Sequence, residues 1–451
     1  MTASDQDTPR ANLSVLDGVA MMVGIIVGIG IFKTPALVAA NVASEGAALG
    51  LWLLGGAVTL VGALVYAELG AAYPSTGGEY HYLARGLDRS VAILFAWARM
   101  TVIQTGAIAA VAFVFGDYAS QLLSLGAYSQ AIYAALSIAA FTLISLAGAS
   151  PSKNAQLAFT GATILTIGLL VLISFMAGGA AQGSPAASSS GSGGGGWGLA
   201  MIFILLTYGG WNEAAYISVE LQDVRRNMVR VLVLSVAAVV VIYLLVNLAF
   251  LHVIGLEGLR ASNAIATDLM RRTTGEAGAE LLSVVVCCAA LSTLNGTIFT
   301  GARVYHAVGR DVAAVRALGI WDPDGQKPTN ALLLQGAIAT ALVAFGAVTR
   351  DGFQAIVEYT APVFWLFLFL VGVSFFRLRG REPDRERPFR MPLYPLTPAL
   401  FCLTCAYLFY SSVAYTGFGA LLGLLVLAAG LPLLMLARRD ELQPEQSREG
   451  A

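Results

Sequence analysis

Long, almost uninterrupted apolar runs alternate with short polar stretches along this chain, and the runs lack the polar face of a helix that lies on a soluble core. About 20 residues of α-helix cross the roughly 30 Å hydrocarbon layer of a bilayer. Twelve runs approach or exceed that length, with cores at Leu16 to Ala40, Ala47 to Ala67, Val91 to Phe115, Ala131 to Gly148, Leu157 to Met176, Leu199 to Ser218, Val231 to His252, Leu281 to Tyr305, Ala331 to Val348, Ala355 to Phe376, Pro398 to Ala414 and Gly419 to Leu436. The pattern predicts an all-α integral membrane protein with twelve transmembrane helices.

An even number of spans puts both termini on one side, and the loops test this through their basic residues. The N-terminal side carries most of the 26 Lys and Arg, including six between Arg377 and Arg390. The opposite loops hold Arg260, Arg271, Arg272 and Arg350, while Lys33 and Arg99 fall inside runs. The bias predicts cytoplasmic termini and a plasma-membrane location. Shifting the count by one helix would scramble it.

Composition narrows the class further. With 57% of residues hydrophobic and 12% charged, a soluble enzyme and a disordered chain are excluded. The 26 basic and 27 acidic residues nearly cancel, so no basic excess points to nucleic acid. The start, MTASDQDTPRANL, lacks the apolar core of a cleaved signal. Cys287, Cys288, Cys402 and Cys405 sit inside apolar runs, and His81, His252 and His306 are far apart. Neither set predicts a metal site, and no cofactor is implied.

Residues 177–198 are Gly- and Ser-rich and uncharged, which reads as an external linker. It separates a first five-helix repeat, 14–176, from a second, 199–376. A cytoplasmic tail, 1–13, precedes them. A basic cytoplasmic loop, 377–397, helices 11 and 12 within 398–436, and a tail, 437–451, follow. Spans one and six, in matching positions of the halves, are interrupted by glycine: Gly28 and Gly30 in VGIIVGIGIFKTP, Gly209 and Gly210 in LLTYGGWNE. Matched interruptions point to a LeuT-type 5+5 inverted repeat with a midplane site. Close helix packing is the other reading of such glycines.

A helix broken inside a bilayer frees backbone groups that lipid cannot satisfy, so the break lines a cavity or holds a polar ligand. The N–H groups that start the second half of span one, at Gly28, Ile29 and Gly30, suit a carboxylate. Carbonyls of Ile26, Val27, Leu206, Thr207 and Gly209 suit an ammonium group. A ligand carrying both is an α-amino acid, and Gly209 with Gly210 would leave room beside it. Intramembrane charges are the other candidates. Lys33 lines an outer vestibule or snorkels to the interface. Glu213 titrates a proton, meets a basic substrate or pairs within the bundle. Arg99 is expected to snorkel to the cytoplasm, and Glu68 and Glu220 sit at cytoplasmic ends where gating and solvation are both open.

Seven segments in order, GIGIF (28–32), YAELGAAYPSTGGEYHYL (66–83), YGGWN (208–212), VELQDVRRNM (219–228), LSTLNGTIFTGARVYHAVGRD (291–311), VEYTAPVFWLF (357–367) and RPFRMPLYPLTP (387–398), resemble the amino acid–polyamine–organocation superfamily. Its L-type amino acid transporter branch is the nearest match, over nearly the whole chain. The resemblance implies a LeuT-type fold and alternating-access transport, with carboxylate contacts at the first break and ammonium contacts at both. The chain departs from the family pattern at Ile29, where a small residue is usual, at Leu206, where an aromatic is frequent, and at Val224 and Val229, where prolines are common. Thr163 replaces a frequent lysine. The loop 116–130 lacks the cysteine through which animal relatives bond a glycoprotein, so no disulfide-linked heavy subunit is expected.

Coupling stays open between sodium, held near Thr163, Ser292 and Thr293 beside span-one carbonyls, and a proton or simple exchange. The function expected is secondary active amino acid transport, by symport or exchange. The alternatives are a transporter-like membrane sensor and a polyamine or amine carrier. No nucleophile motif or phosphate loop supports a membrane enzyme.

Overall fold

The computed structural model describes residues 13–75, 77–147, 153–177, 196–311, 313–320, 328–349, 351–415, 417–432 and 434. Most of the predicted linker 177–198, the tail 1–12 and the tail from 437 lie outside the described residues. Among those described, the regular structure is helical, with one isolated parallel bridge between Leu13 and Leu221. The chain is therefore an all-helical, multi-pass membrane protein.

Among the described residues, eight helices are long and apolar enough to cross a bilayer: Glu45–Ala72, Arg89–Leu122, Ser129–Leu146, Val224–Val253, Glu276–Ala302, Thr329–Ala347, Gly352–Arg381 and Leu396–Ala414. Four shorter apolar helices accompany them: Val15–Ile26, Gly161–Met176, Gly196–Thr207 and Phe418–Ala428. Two of these are short because the chain breaks where the glycines stand. Helix α1 (Val15–Ile26) gives way to a 3-10 turn, Ile29–Phe32, before α2 (Thr34–Ala39). The later break separates Gly196–Thr207 from a 3-10 turn, Trp211–Glu213, and a four-residue helix, Ala214–Ile217.

Local chemistry fixes the helix starts. Ser14 and Asp17 form a reciprocal capping box at the head of α1, with the Asp17 N–H donating to Ser14 Oγ at 3.2 Å. Backbone bonds from Leu13 N–H to the Glu220 carbonyl and from Gln222 N–H to the Leu13 carbonyl, both 2.9 Å, pin this head to the segment beyond the second break. Asp88 and Asp351 cap the helices that start at Arg89 and Gly352.

The following helices are α3 (Glu45–Ala72), α4 (Gly78–Gly86), α5 (Arg89–Ala98), α6 (Gln104–Leu122), α7 (Ser129–Leu146), α8 (Lys153–Met176), α9 (Gly196–Thr207), α10 (Ala214–Ile217) and α11 (Val224–Val253). Then come α12 (Gly255–Ala261), α13 (Ile265–Thr274), α14 (Glu276–Asp311), α15 (Thr329–Ala347), α16 (Gly352–Arg381), α17 (Leu396–Tyr415) and α18 (Phe418–Ala428). A π turn, Arg99–Ile103, joins α5 to α6 without ending the helix. Such an extra residue re-aims the side chains around it and is frequent at functional positions. Helix α11 packs along α3 and α1, while α6 packs on α7, α14 and α16. Small residues let α3 approach closely: a Cβ on Gly56 would lie 2.5 Å from Val240, and one on Gly62 2.7 Å from Trp211.

Candidate functional site

Backbone polarity concentrates at the first break. The Val27 N–H still reaches the Val23 carbonyl at 2.7 Å, but the Gly28 N–H turns back to the Ile26 carbonyl at 2.7 Å and ends the ladder. Gly28 is extended, φ −87° and ψ −168°, and a Cβ there would meet nothing nearer than the Ile26 carbonyl oxygen at 4.0 Å. The N–H groups that begin the next turn, at Ile29 and Gly30, have no partner within a helical turn. Gly30 avoids the left-handed region and is needed for closeness: its Cβ would stand 3.3 Å from Thr207 Cγ2.

The two breaks meet at this point. Thr207 Oγ1 donates to Phe203 O on its own helix at 2.8 Å and lies 2.6 Å from Thr34 Oγ1 at the start of α2. Gly210 is left-handed, φ 104°, with its Cα against Ile25 of α1. Tyr243, fully buried on α11, spans both helix ends: its hydroxyl lies 2.8 Å from the Ile26 carbonyl and 3.0 Å from the Thr207 carbonyl. Trp52 packs edge-on against its ring, and the Tyr208 ring lies tilted beside it at 5.0 Å. The Leu206 carbonyl takes the Gly209 N–H at 3.0 Å. A Cβ on Gly209 would fall 2.7 Å from that same carbonyl, so backbone fills the room expected beside Gly209 and Gly210.

Charges gather on either side. Directly after the first 3-10 turn, Lys33 Nζ lies 3.0 Å from Asp117 Oδ2 on α6 and 3.0 Å from Asp351 Oδ2 at the head of α16. Lys33 and Asp117 are buried, and Asp351 is part-exposed. Lys33 therefore neither lines an open vestibule nor snorkels, because two carboxylates hold it inside. Arg99 is likewise a correction to the expectation of snorkelling. It is 8% exposed, with Nη2 2.9 Å from Glu213 Oε1 and Nη1 3.4 Å from Glu79 Oε2. Tyr216 accepts from Arg99 at 2.8 Å and donates to Glu79 at 3.1 Å, while Tyr66 and Asn212 donate to the other Glu79 oxygen at 2.5 and 3.2 Å. Of the three readings of Glu213, the structure brings about the pairing within the bundle.

Glu68 is also buried. Arg379 holds it at 2.7 and 2.5 Å, Arg387 stands 3.5 Å away, and the Met391 N–H donates to it at 2.7 Å. The basic loop is thereby fastened to α3. Thr163 on α8 is half-buried, as are Ser292 and Thr293 on α14, which packs against α8. Thr293 donates to the Ala289 carbonyl at 3.0 Å.

Sequence reasoning missed Asp117, Asp351, Glu79 and Tyr243. Asp117 was available: the third run was closed at Phe115, so this acid counted as loop, yet α6 continues to Leu122. Glu79 and Asp351 fell between runs, where an acid carries no signal. A tyrosine in an apolar run such as Tyr243 looks like core until its hydroxyl partners are seen.

Two broken helices meet beside buried charges inside an all-helical apolar body, an arrangement that suits a membrane transporter. The chain belongs to the amino acid permease family, whose model matches residues 13–428. It is similar to the b(0,+)-type amino acid transporter 1 of Mus musculus, 28% identical over 392 residues that cover 85% of this chain and 79% of the relative. The cystine/glutamate transporter of Homo sapiens is 24% identical over 434 residues, 95% of this chain and 85% of the relative. The large neutral amino acids transporter small subunit 2 of Rattus norvegicus is 27% identical over 437 residues, 95% and 80%.

Proposed function

We propose that the chain is a secondary active carrier of α-amino acids that works by alternating access in the plasma membrane. In this reading it has twelve spans, a LeuT-type 5+5 repeat over 14–176 and 199–376, two further helices in 398–436, and cytoplasmic termini. The substrate carboxylate meets N–H groups at Ile29 and Gly30, and at Gly28 once its N–H leaves the Ile26 carbonyl. Its ammonium meets carbonyls among Ile26, Val27, Leu206, Thr207 and Gly209. No heavy subunit or cofactor takes part.

The observation that carries this reading is the contact of the two breaks at Gly30 and Thr207, which sets a helix-start N–H cluster beside two helix-end carbonyls. Those are the two halves of a zwitterion's complement. A polyamine would use the carbonyls and leave the N–H groups unmet. The three relatives named above carry different substrate names, so the side chain preferred here is a matter for measurement. Thermal unfolding of detergent-purified protein with each common amino acid, and with common amines, tests it. Amino acids raise the midpoint, since ligand binding to the folded state stabilises it. Stabilisation by amines alone would reject the reading.

A further inference from the structure

We propose that Lys33, Asp117 and Asp351 form a proton-binding site that couples the carrier to the proton gradient; this rests on the transport reading above. One ammonium stands 3.0 Å from each of two carboxylates, so among the described residues the cluster carries one negative charge in excess. The Gln354 N–H at the head of α16 meets part of that charge through Asp351 Oδ1 at 3.0 Å, and one added proton on the buried Asp117 removes the rest. Asp117 is buried and its Oδ2 meets the Lys33 ammonium at 3.0 Å, so its carboxylate is free to take a proton only when that ammonium has moved away. Asp351 is 27% exposed and gives that proton a way in from the outer side.

Neighbouring ionisable groups have their own partners. Glu358 accepts from Gln354 at 2.8 Å on α16. Asp268 on α13 takes Ser262 and Arg271. Arg260 on α12 is bound to Glu257 and to the Ala39 and Val42 carbonyls. Tyr118, next to Asp117, donates to the Phe32 carbonyl at 3.0 Å, and Cys287 on α14 lies 4.0 Å from the Phe115 carbonyl.

The site also touches the proposed substrate contact through the backbone, since the Lys33 N–H bonds the Gly30 carbonyl at 3.1 Å. In the proposed coupling, substrate binding at the first break shifts this turn and with it the ammonium relative to Asp117. With Lys33 held by Asp351 alone, the Asp117 carboxylate takes a proton from external water and becomes a neutral acid. With the ammonium returned to Asp117, the O–H bond breaks and the proton leaves to the water then in contact. Linkage makes the effect reciprocal, so proton binding favours substrate binding by the same factor.

The test uses the full chain in liposomes with a pH-sensitive dye inside and a mixture of radiolabelled common amino acids outside. Wild type should acidify the lumen as label enters. Asp117→Asn should lose this, with the ratio of protons to label falling to background, and Asp351→Asn should slow acidification relative to label. If Asp117→Asn fails to fold, Asp351→Asn decides alone: a ratio like that of wild type rejects the site. Label entry in wild type that needs sodium and moves no protons, with a dependence on Thr163, also rejects it. No label entry at all, either into these liposomes or into liposomes preloaded with unlabelled common amino acids, would reject the transport reading itself, a result separable from either.

Discussion

Thr207 and Thr34 face each other across 2.6 Å, one hydroxyl closing the end of α9 and the other opening α2. This bond joins the two broken segments at the level where substrate is proposed to bind. Replacing either residue with valine keeps the shape and deletes the link, at a cost of about 0.5–1.5 kcal/mol. Adding the second valine should then cost little more. Thermal unfolding of both singles and the double checks this, and additive losses would show that the hydroxyls act separately.

The two glycines of the first break should behave differently. A Cβ on Gly28 would meet nothing nearer than the Ile26 carbonyl oxygen at 4.0 Å, so Gly28→Ala should leave stability little changed while weakening uptake by crowding the proposed carboxylate contact. At Gly30 the Thr207 side chain already occupies the limit of contact, so Gly30→Val must push the breaks apart. Uptake should fall to background while the folded fraction, read by size-exclusion chromatography, persists. Unchanged affinity in Gly30→Val would place the carboxylate contact elsewhere.

Arg99 serves two carboxylates at once. Arg99→Met leaves Glu79 buried with no cation, and loss of one partner of a buried pair costs about 3–5 kcal/mol. Glu213→Gln leaves Arg99 paired with Glu79 and should be far milder. Comparing folded yield and unfolding midpoint of the two variants decides it, and equal losses would reject the asymmetry.

The basic loops predict that both termini face the cytoplasm. Single cysteines at Ser189 and Asp384, in a background without Cys287, Cys288, Cys402 and Cys405, should react with an impermeant maleimide from opposite faces. Labelling from the same face would reject the proposed helix count.

Outside the membrane, Arg85 donates to Glu382 at 2.7 Å and holds its carboxyl below the usual glutamate range. A lowered folded-state value adds stability that is present above the ordinary range and is lost as pH falls through the lowered value. Titration between about pH 5 and 8 should thus leave this contact intact. Glu382→Gln should preserve the shape of the pH profile of uptake. A profile that flattens in this variant would move the proton response to the cytoplasmic side.

The fold was legible because apolar run length and glycine position are one-dimensional signals. The breaks at Gly28 to Gly30 and at Gly209 to Gly210 fall where the helices part. Partnership was not legible. Lys33 gave notice of itself as a charge in an apolar run, but its two acids come from α6 and α16, 84 and 318 positions later. The prediction for Arg99 erred for the same reason: snorkelling is the cheapest fate of an arginine only when no carboxylate waits inside. Glu79 reaches it from α4, a short helix that the reading of long runs passed over.

Tyr243 has a single hydroxyl hydrogen and two carbonyls within reach, those of Ile26 and Thr207. The Ile26 carbonyl also takes the Gly28 N–H at 2.7 Å, so the Thr207 carbonyl has the greater need of that hydrogen. At the proposed substrate site an arriving ammonium group would therefore compete with a phenol for the same helix end, and Tyr243→Phe would remove that competitor together with the clasp it makes between the two broken spans.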